Sequence, residues 1–233
     1  MEKDINTDHG EKFQFNSDVS GCFSDMLTRS IPNYAIMREL IYRLSDPFAS
    51  NTNVLDIGTS LGDSIHKLAQ IHKGSDFIGL EDSNSMIEKA NERFKSFRNV
   101  EIRKHNMKNR FSGTEQYGLI LSVLTIQFIP IEYRLQIIDN IYNLLKFGGA
   151  FIFVEKVIGG MAEIDSLFNR TYYGIKEDNG YSFEEIQRKK LALEGVLVPV
   201  TSKWNEELLK DSGFRKIECF WRCLNFSGWI AIK

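Results

Sequence analysis

The sequence predicts an α/β fold: an open, mostly parallel sheet with helices packed on both faces. Two observations carry that prediction. From Asn53 onward, apolar runs of strand length alternate with amphipathic runs of helical period, the pattern that builds parallel sheets through right-handed crossovers. At the head of the alternation stands Val54-Leu55-Asp56-Ile57-Gly58-Thr59-Ser60-Leu61-Gly62-Asp63, where an apolar run holding one acid is followed by two glycines four apart. Ile65, Leu68, Ala69 and Ile71 then open a helix at once. Such a strand, turn and helix places glycine at the carboxyl edge of the sheet, where backbone can approach a ligand and the helix start offers unpaired N–H groups.

In chain order, residues 1–12 read as a loose polar tail and 13–233 as one domain. Ser17-Asp18 can cap a helix whose apolar positions are Val19, Phe23, Met26 and Leu27. Pro32 closes it, and a second helix starts near Asn33 with Ile36, Met37, Leu40, Ile41 and Leu44 on one face. Both helices, within 13–48, stand outside the strand–helix repeat and can cover a site as a lid. Strands are expected at 53–57, 76–80, 99–103, 117–122 and 149–155, with helices at 63–73, 84–97 and 132–145. Lys146-Phe147-Gly148-Gly149 supplies a helix stop before the fifth strand. Residues 160–198 break the rhythm with two helical patterns, 161–175 and 182–195, joined by Asp178-Asn179-Gly180. An insertion there lies at the substrate-binding edge. A helix at 203–211 and two runs, Phe214 to Phe220 and Asn225 to Ile232, finish the chain, the runs close enough to pair antiparallel.

Composition narrows the classes. The chain has 233 residues, 42% hydrophobic and 26% charged, with a formal net charge of -2; this describes a globular protein with no global pull toward nucleic acid. Across 86–110 the cations Lys89, Arg93, Lys95, Arg98, Arg103, Lys104, Lys108 and Arg110 outnumber Glu88, Glu92 and Glu101. No aromatic platform interleaves them, so they read as a solvated face. Three cysteines, Cys22, Cys219 and Cys223, point to reduced thiols and a cytoplasmic location. Cys219 and Cys223, four apart in an expected strand, should share one face; without histidine or a second pair they imply packing and no metal site. Met1 to Lys12 carries no apolar core of a signal peptide, and Leu119 to Ile131, interrupted by polar residues, is too short to span a membrane.

The G-x-x-x-G spacing lacks both the dinucleotide fingerprint and the Lys-Ser/Thr ending of a phosphate loop. Asp56 just before Gly58, with Glu81 at the end of the next strand, instead resembles motif I and the ribose-binding acid of class I S-adenosylmethionine-dependent methyltransferases. On that reading the turn residues Asp56, Gly58, Thr59, Ser60 and Gly62 form the cofactor cradle. One carboxylate can accept from both ribose hydroxyls, Glu81 being first choice and Asp82 the alternative. Adenine should lie near Leu80, Asn106 and Met107, with the Asn106 carbonyl oxygen available to its amine. The sulfonium should sit by Gly58, Thr59, Ser60 and the ring of Tyr34. Methyl transfer can run on proximity and alignment alone, so no catalytic residue is assigned. Gln127, Glu155, Tyr181, Arg188 and Lys190 are candidates for a part in the chemistry, because they fall at the carboxyl edge or in the insertion, with Gln127, Tyr181, Arg188 and Lys190 expected to bind substrate.

Longer motifs sharpen the resemblance. Phe15-x-x-x-Val19-x-x-x-Phe23-x-x-Met26-Leu27-x-Arg29-Ser30-Ile31-Pro32-x-Tyr34, Thr125-Ile126-Gln127-Phe128-Ile129, Asn179-Gly180-Tyr181-Ser182-x-x-Glu185-Ile186 and Asn225-Phe226 together resemble the carboxy-S-adenosylmethionine synthase family over about residues 13–233. The resemblance implies a Rossmann-like class I methyltransferase fold, with a seven-stranded sheet whose last strand is antiparallel, and a homodimer. Members of that family convert S-adenosylmethionine and prephenate into the carboxylated cofactor, later used to modify wobble uridine in tRNA. By position, the family's cofactor contacts fall on Tyr34, Gly58, Thr59, Ser60, Glu81, Asp82, Asn106 and Met107. Three positions depart. Val123 stands where the family has Asn, and Lys190 where it has the Arg that grips the added carboxylate; the family's Asp in the adenine loop is Asn106. Lysine offers a point charge in place of a two-pronged guanidinium, and valine donates nothing.

The expectation is therefore a cytoplasmic S-adenosylmethionine-dependent methyltransferase acting on a small-molecule or carrier-bound acceptor, with no direct nucleic-acid or membrane partner. The alternatives are carboxy-S-adenosylmethionine synthase itself, using the carboxylated cofactor, and a non-catalytic binding protein whose partner surface is the basic span 86–110.

Overall fold

Strand β1 (Asn53–Ile57) is paired on both edges, with β2 (Asp76–Glu81) on one side and β4 (Tyr117–Val123) on the other, each parallel to it. Beyond β2 lies β3 (Val100–Lys104), and beyond β4 lies β5 (Leu145–Ile158), again parallel. Strand β8 (Phe226–Ile232) then runs antiparallel to both β5 and β7 (Lys216–Cys223). The order β3-β2-β1-β4-β5-β8-β7 is the seven-stranded sheet with an antiparallel last strand that the sequence led us to expect. Its direction of winding reverses between β1 and β4, and ligands of open α/β sheets bind in the crevice at the carboxyl end of such a switch point. This computed structural model describes residues 12–109 and 115–233, so residues 1–11 of the expected tail, and Arg110 of the basic span, lie outside the described residues.

The period of two along each strand divides the core. Val54 faces Ile65, Leu68 and Ala69 of α3 (Asp63–Ile71). Its neighbours Leu55 and Ile57 face the other way, toward Ile137, Ile138 and Ile141 of α5 (Ile131–Leu144) and Leu208 and Leu209 of α8 (Ser202–Asp211). Each such fully buried aliphatic side chain contributes about 1.5–3 kcal/mol.

Three elements cover the carboxyl edge. Helix α1 (Ser17–Ser30) buries Val19, Phe23 and Met26 in a cluster with Phe13, Met86 of α4 (Asn84–Phe94) and Ala192. Its cap is Asn16, whose Oδ1 accepts the Val19 N–H at 3.1 Å; Ser17 and Asp18 fall in the first turn, where the Asp18 carboxylate meets the positive end of the helix dipole. Helix α2 (Tyr34–Ser45) buries Met37 and Ile41 against the α3 side of the sheet. The insertion folds as α6 (Ala162–Asp178) and α7 (Phe183–Leu193), the latter opened by a reciprocal cap between Ser182 and Glu185. The Phe13 N–H donates to the Ala192 carbonyl at 3.0 Å, tying the N-terminal segment to α7.

Several expectations are corrected. Strand β5 starts at Leu145, four residues early: α5 does stop at Leu144, but Gly148 at φ +79° lets the chain kink and stay in the ladder. A two-residue strand β6 (Val200–Thr201), invisible in the sequence, pairs beside Val157 and Ile158. Cys219 and Cys223 do not share a face. A register shift between Cys219 and Trp221 sets Cys219 opposite Trp229 and Cys223 opposite Phe226, positions on opposite sides of β8. In the basic span, Arg93 pairs with Asp63, Lys95 with Glu92, and Arg103 with Glu101 and Glu115. Among the described residues no helix is long and apolar enough to cross a membrane.

Candidate functional site

The carboxyl ends of β1, β2, β4 and β5 open into a cavity of about 780 Å³, walled by α1, α2, α6 and α7. The turn after β1 forms its floor. Gly58 has φ +68°, and a Cβ there would fall 2.3 Å from the Thr125 side chain, so only glycine fits. Thr59 donates its N–H to the Leu80 carbonyl at 2.9 Å and its hydroxyl to Asp56 Oδ2 at 2.7 Å. Ser60, in the left-handed region at φ +49°, donates its N–H to Glu81 Oε2 at 2.9 Å.

Glu81 is thereby fixed. Its Oε1 also accepts the Asp82 N–H at 2.9 Å and the Ser83 N–H at 3.0 Å. A carboxylate has about four acceptor sites, so the three backbone donors leave one, on Oε2. The expectation of two ribose hydroxyls on this carboxylate asks for more acceptor sites than the fold leaves. Asp82, exposed beside it, accepts from Asn106 Nδ2 at 3.1 Å through Oδ2. Asn106 is itself engaged: its Oδ1 accepts the Lys108 N–H at 3.0 Å, closing a turn, so its carbonyl is not wholly available to an adenine amine. Met107 is buried and lines the cavity, while Leu80 lies in the core behind it.

Of the other expected residues, Tyr34, Val123, Gln127 and Lys190 also line the cavity. Gln127 has its side chain committed to structure, accepting the Lys156 N–H at 2.7 Å and donating to the Leu124 carbonyl at 3.3 Å. Val123 presents only carbon at the end of β4. Lys190 is exposed.

Five expected site residues stand off the cavity. Asp56 is buried beneath the turn, and burial pushes its carboxyl up to about 7 against the opposing Thr59 hydrogen bond. Gly62, at φ +79°, starts α3 with the Phe94 ring where a side chain would be. Tyr181 is buried with its hydroxyl 3.0 Å from Ser30 Oγ and the Arg29 guanidinium 4.4 Å from its ring centroid, which locks the insertion to α1. Arg188 is turned away by the helical step, and the next two residues, Lys189 and Lys190, take the lining positions. Glu155 likewise supports rather than lines. It accepts the Ile126 and Gln127 N–H groups at 3.0 and 2.7 Å, and burial pushes its carboxyl up to about 8.

Sequence reading missed the cations. Arg38 of α2, Lys156 at the end of β5, Lys176 of α6 and Lys189 of α7 all line the cavity. The Lys156 ammonium lies 5.0 Å from the Tyr172 ring centroid, and burial holds its pKa below the ordinary lysine range. Lys176 is buried, with its ammonium 4.5 Å from the Tyr181 ring centroid. A charged Glu155-Lys156 pair closing an apolar strand was the one available signal; Lys176 and Lys189 look like ordinary surface positions until the insertion folds over the sheet.

Comparison with known proteins agrees with this geometry. A family model described as a methyltransferase domain matches residues 48–196. The carboxy-S-adenosyl-L-methionine synthase of Methylococcus capsulatus is 34% identical over 229 residues, covering 96% of this chain and 94% of that protein. That of Staphylococcus epidermidis is 35% identical over 213 residues, covering 91% and 92%. Among solved structures, phosphoethanolamine N-methyltransferase 2 of Haemonchus contortus in complex with S-adenosyl-L-methionine superposes with a TM-score of 0.68 at 14% identity, covering 94% of this chain and 58% of that one. Human N-acetylserotonin methyltransferase gives a TM-score of 0.62 at 13% identity, covering 93% and 55%. The chain thus spans little more than half of those two structures but nearly all of its curated relatives, and it belongs to the carboxy-S-adenosyl-L-methionine synthase family, with the class I methyltransferase fold.

Proposed function

We propose that this chain is an S-adenosylmethionine-dependent methyltransferase whose acceptor is a small or carrier-bound anion. The observation that supports it is one cavity with two ends: the Gly58–Ser60 turn with Glu81 and Asp82 at one, and Lys156, Lys176, Lys189 and Lys190 at the other. The cofactor supplies an electrophilic methyl group on a sulfonium. Glu81 and Asp82 hold the ribose diol, Met107 sides the adenine, and the Tyr34 ring face attracts the sulfonium. The lysines orient the acceptor, and the aromatic rings of Phe13, Phe15 and Phe128 keep water from the reacting end. Alignment in a dry chamber carries such a transfer without a dedicated acid or base. A homodimer in the cytoplasm completes the proposal. The exposed apolar side chains of Met161, Leu167, Phe183 and Leu191 on the insertion favour a second copy, and the free cysteines favour a reducing compartment.

A second reading, carboxy-S-adenosylmethionine synthase, is favoured by the names of the relatives and by the lysine wall, which suits a carboxylated sulfonium. Val123 and Lys190 weigh against it, since neither supplies the paired donors that the family resemblance places there. Mass spectrometry of nucleosides released from the denatured protein separates the two. S-adenosylmethionine or its demethylated product is expected; the carboxylated form, accumulating when prephenate is supplied, would replace the first reading with the second.

A further inference from the structure

The cavity has a third charged region, apart from the diol-binding acids and the lysine wall. Arg38 lines it from α2, one helical turn beyond Tyr34, beside Ser64 in the first turn of α3. Its Nη1 donates to Ser64 Oγ at 3.1 Å. Among the described residues Arg38 makes no ion pair, so a guanidinium with five donors spends one on a neutral hydroxyl. Asp63, held by Arg93, lines the same corner. Both Arg38 and Asp63 act electrostatically on the Tyr34 hydroxyl and on the buried Asp56 carboxyl, which places a cation and an anion together at this end.

We propose that Arg38 is the receptor for the α-carboxylate of the cofactor's amino-acid arm, with Asp63 facing its ammonium. The inference rests on the cofactor reading above and adds a specificity residue to it. With the ribose on Glu81 and Asp82, a chain leading from the ribose over the Gly58–Ser60 turn ends at α3 and α2. An amino-acid zwitterion requires one cation and one anion there. The lining lysines stand on β5, α6 and α7 and, as Lys108, in the loop after β3, while Arg93 pairs with Asp63 from outside the lining, leaving Arg38 as the lining cation on the α2 side among the described residues. A planar fork matches a carboxylate with two parallel hydrogen bonds.

Calorimetry with two ligands tests it. S-adenosylhomocysteine carries the amino-acid arm; 5′-methylthioadenosine keeps the nucleoside and thioether but lacks it. Arg38→Met should weaken S-adenosylhomocysteine about tenfold or more while leaving 5′-methylthioadenosine within about twofold of wild type. Arg38→Lys should recover part of the loss. Unchanged S-adenosylhomocysteine affinity, or equal loss for both ligands, would overturn the assignment, the second outcome marking Arg38 as a packing residue. If the wild-type protein binds neither ligand, the cofactor reading itself fails and takes this assignment with it.

Discussion

Glu81 Oε2 accepts the Ser60 N–H at 2.9 Å, so the acid at the end of β2 and the glycine turn after β1 are held as one unit. The carboxylate is oriented before any ligand arrives, which lowers the ordering cost of binding. In Glu81→Gln, an amide NH2 must face either Ser60 N–H or the Asp82 and Ser83 N–H pair, opposing donor to donor. S-adenosylhomocysteine affinity should fall at least about tenfold, from loss of a charge-assisted bond, and the melting temperature should drop as well. A variant that binds as wild type in calorimetry would remove Glu81 from the site.

Asp56 gives a pH signature with a definite sign. Its carboxyl ionises near 3.8 in an unfolded chain and near 7 in the fold, because burial disfavours the charged form. Between those values the folded state keeps a proton that the unfolded state has lost. The stabilisation is full below about pH 3.8 and is lost as pH rises through about 7, at up to about 1.4 kcal/mol per pH unit. Asp56→Asn removes that slope. Urea unfolding across the window should show wild type losing stability relative to the variant as pH rises; a constant difference would mean that Asp56 is ionised in the fold.

The parts of the molecule legible in the sequence are those fixed by local periodicity. Val54 and Leu55 announce a strand buried on both faces, and Gly58 announces a turn, because each rests on backbone and neighbours close in sequence. Residues that act through distant partners were not legible. Asp56 sits in the glycine motif yet lies under the turn, since strand alternation and the Thr59 hydroxyl decide its direction. Gln127 belongs to one of the motif blocks that carry the family resemblance but spends its amide on Lys156 and Leu124 backbone groups. The cations of the cavity come from α2, β5, α6 and α7, and only tertiary folding shows that they converge.

Lys156 poses a trade between stability and function. Its half-buried ammonium is largely withdrawn from water, with a tyrosine ring beside it, the Asp165 carboxylate acting on it from a distance and no ion pair among the described residues, a costly state unless an anion arrives. Lys156→Met keeps the apolar stem and removes the charge. It should stabilise the protein by about 1 kcal/mol or more, seen as a higher melting temperature. The same variant should lose the thermal stabilisation that malonate, a small dicarboxylate probe, gives the wild type. A lower melting temperature, with the malonate response intact, would assign Lys156 to packing and place the acceptor elsewhere.

Val123 and Lys190 decide between the two readings of the reaction. Both line the cavity, one at the end of β4 and the other on α7, so a group between them meets a methyl-bearing side chain and a single exposed ammonium. A carboxylate on the sulfonium carbon would have one point charge to answer it and no amide donor. Val123→Asn with Lys190→Arg adds a donor at the strand end and a two-pronged guanidinium at the helix, each charge-assisted bond contributing about 1.5–3 kcal/mol. The double variant should therefore bind carboxy-S-adenosylmethionine at least about tenfold more tightly than the wild type, with S-adenosylhomocysteine affinity within about twofold. Equal tight binding of the carboxylated compound by the wild-type chain would show that the lysine wall already answers its charge, and would move the synthase reading ahead of methyl transfer.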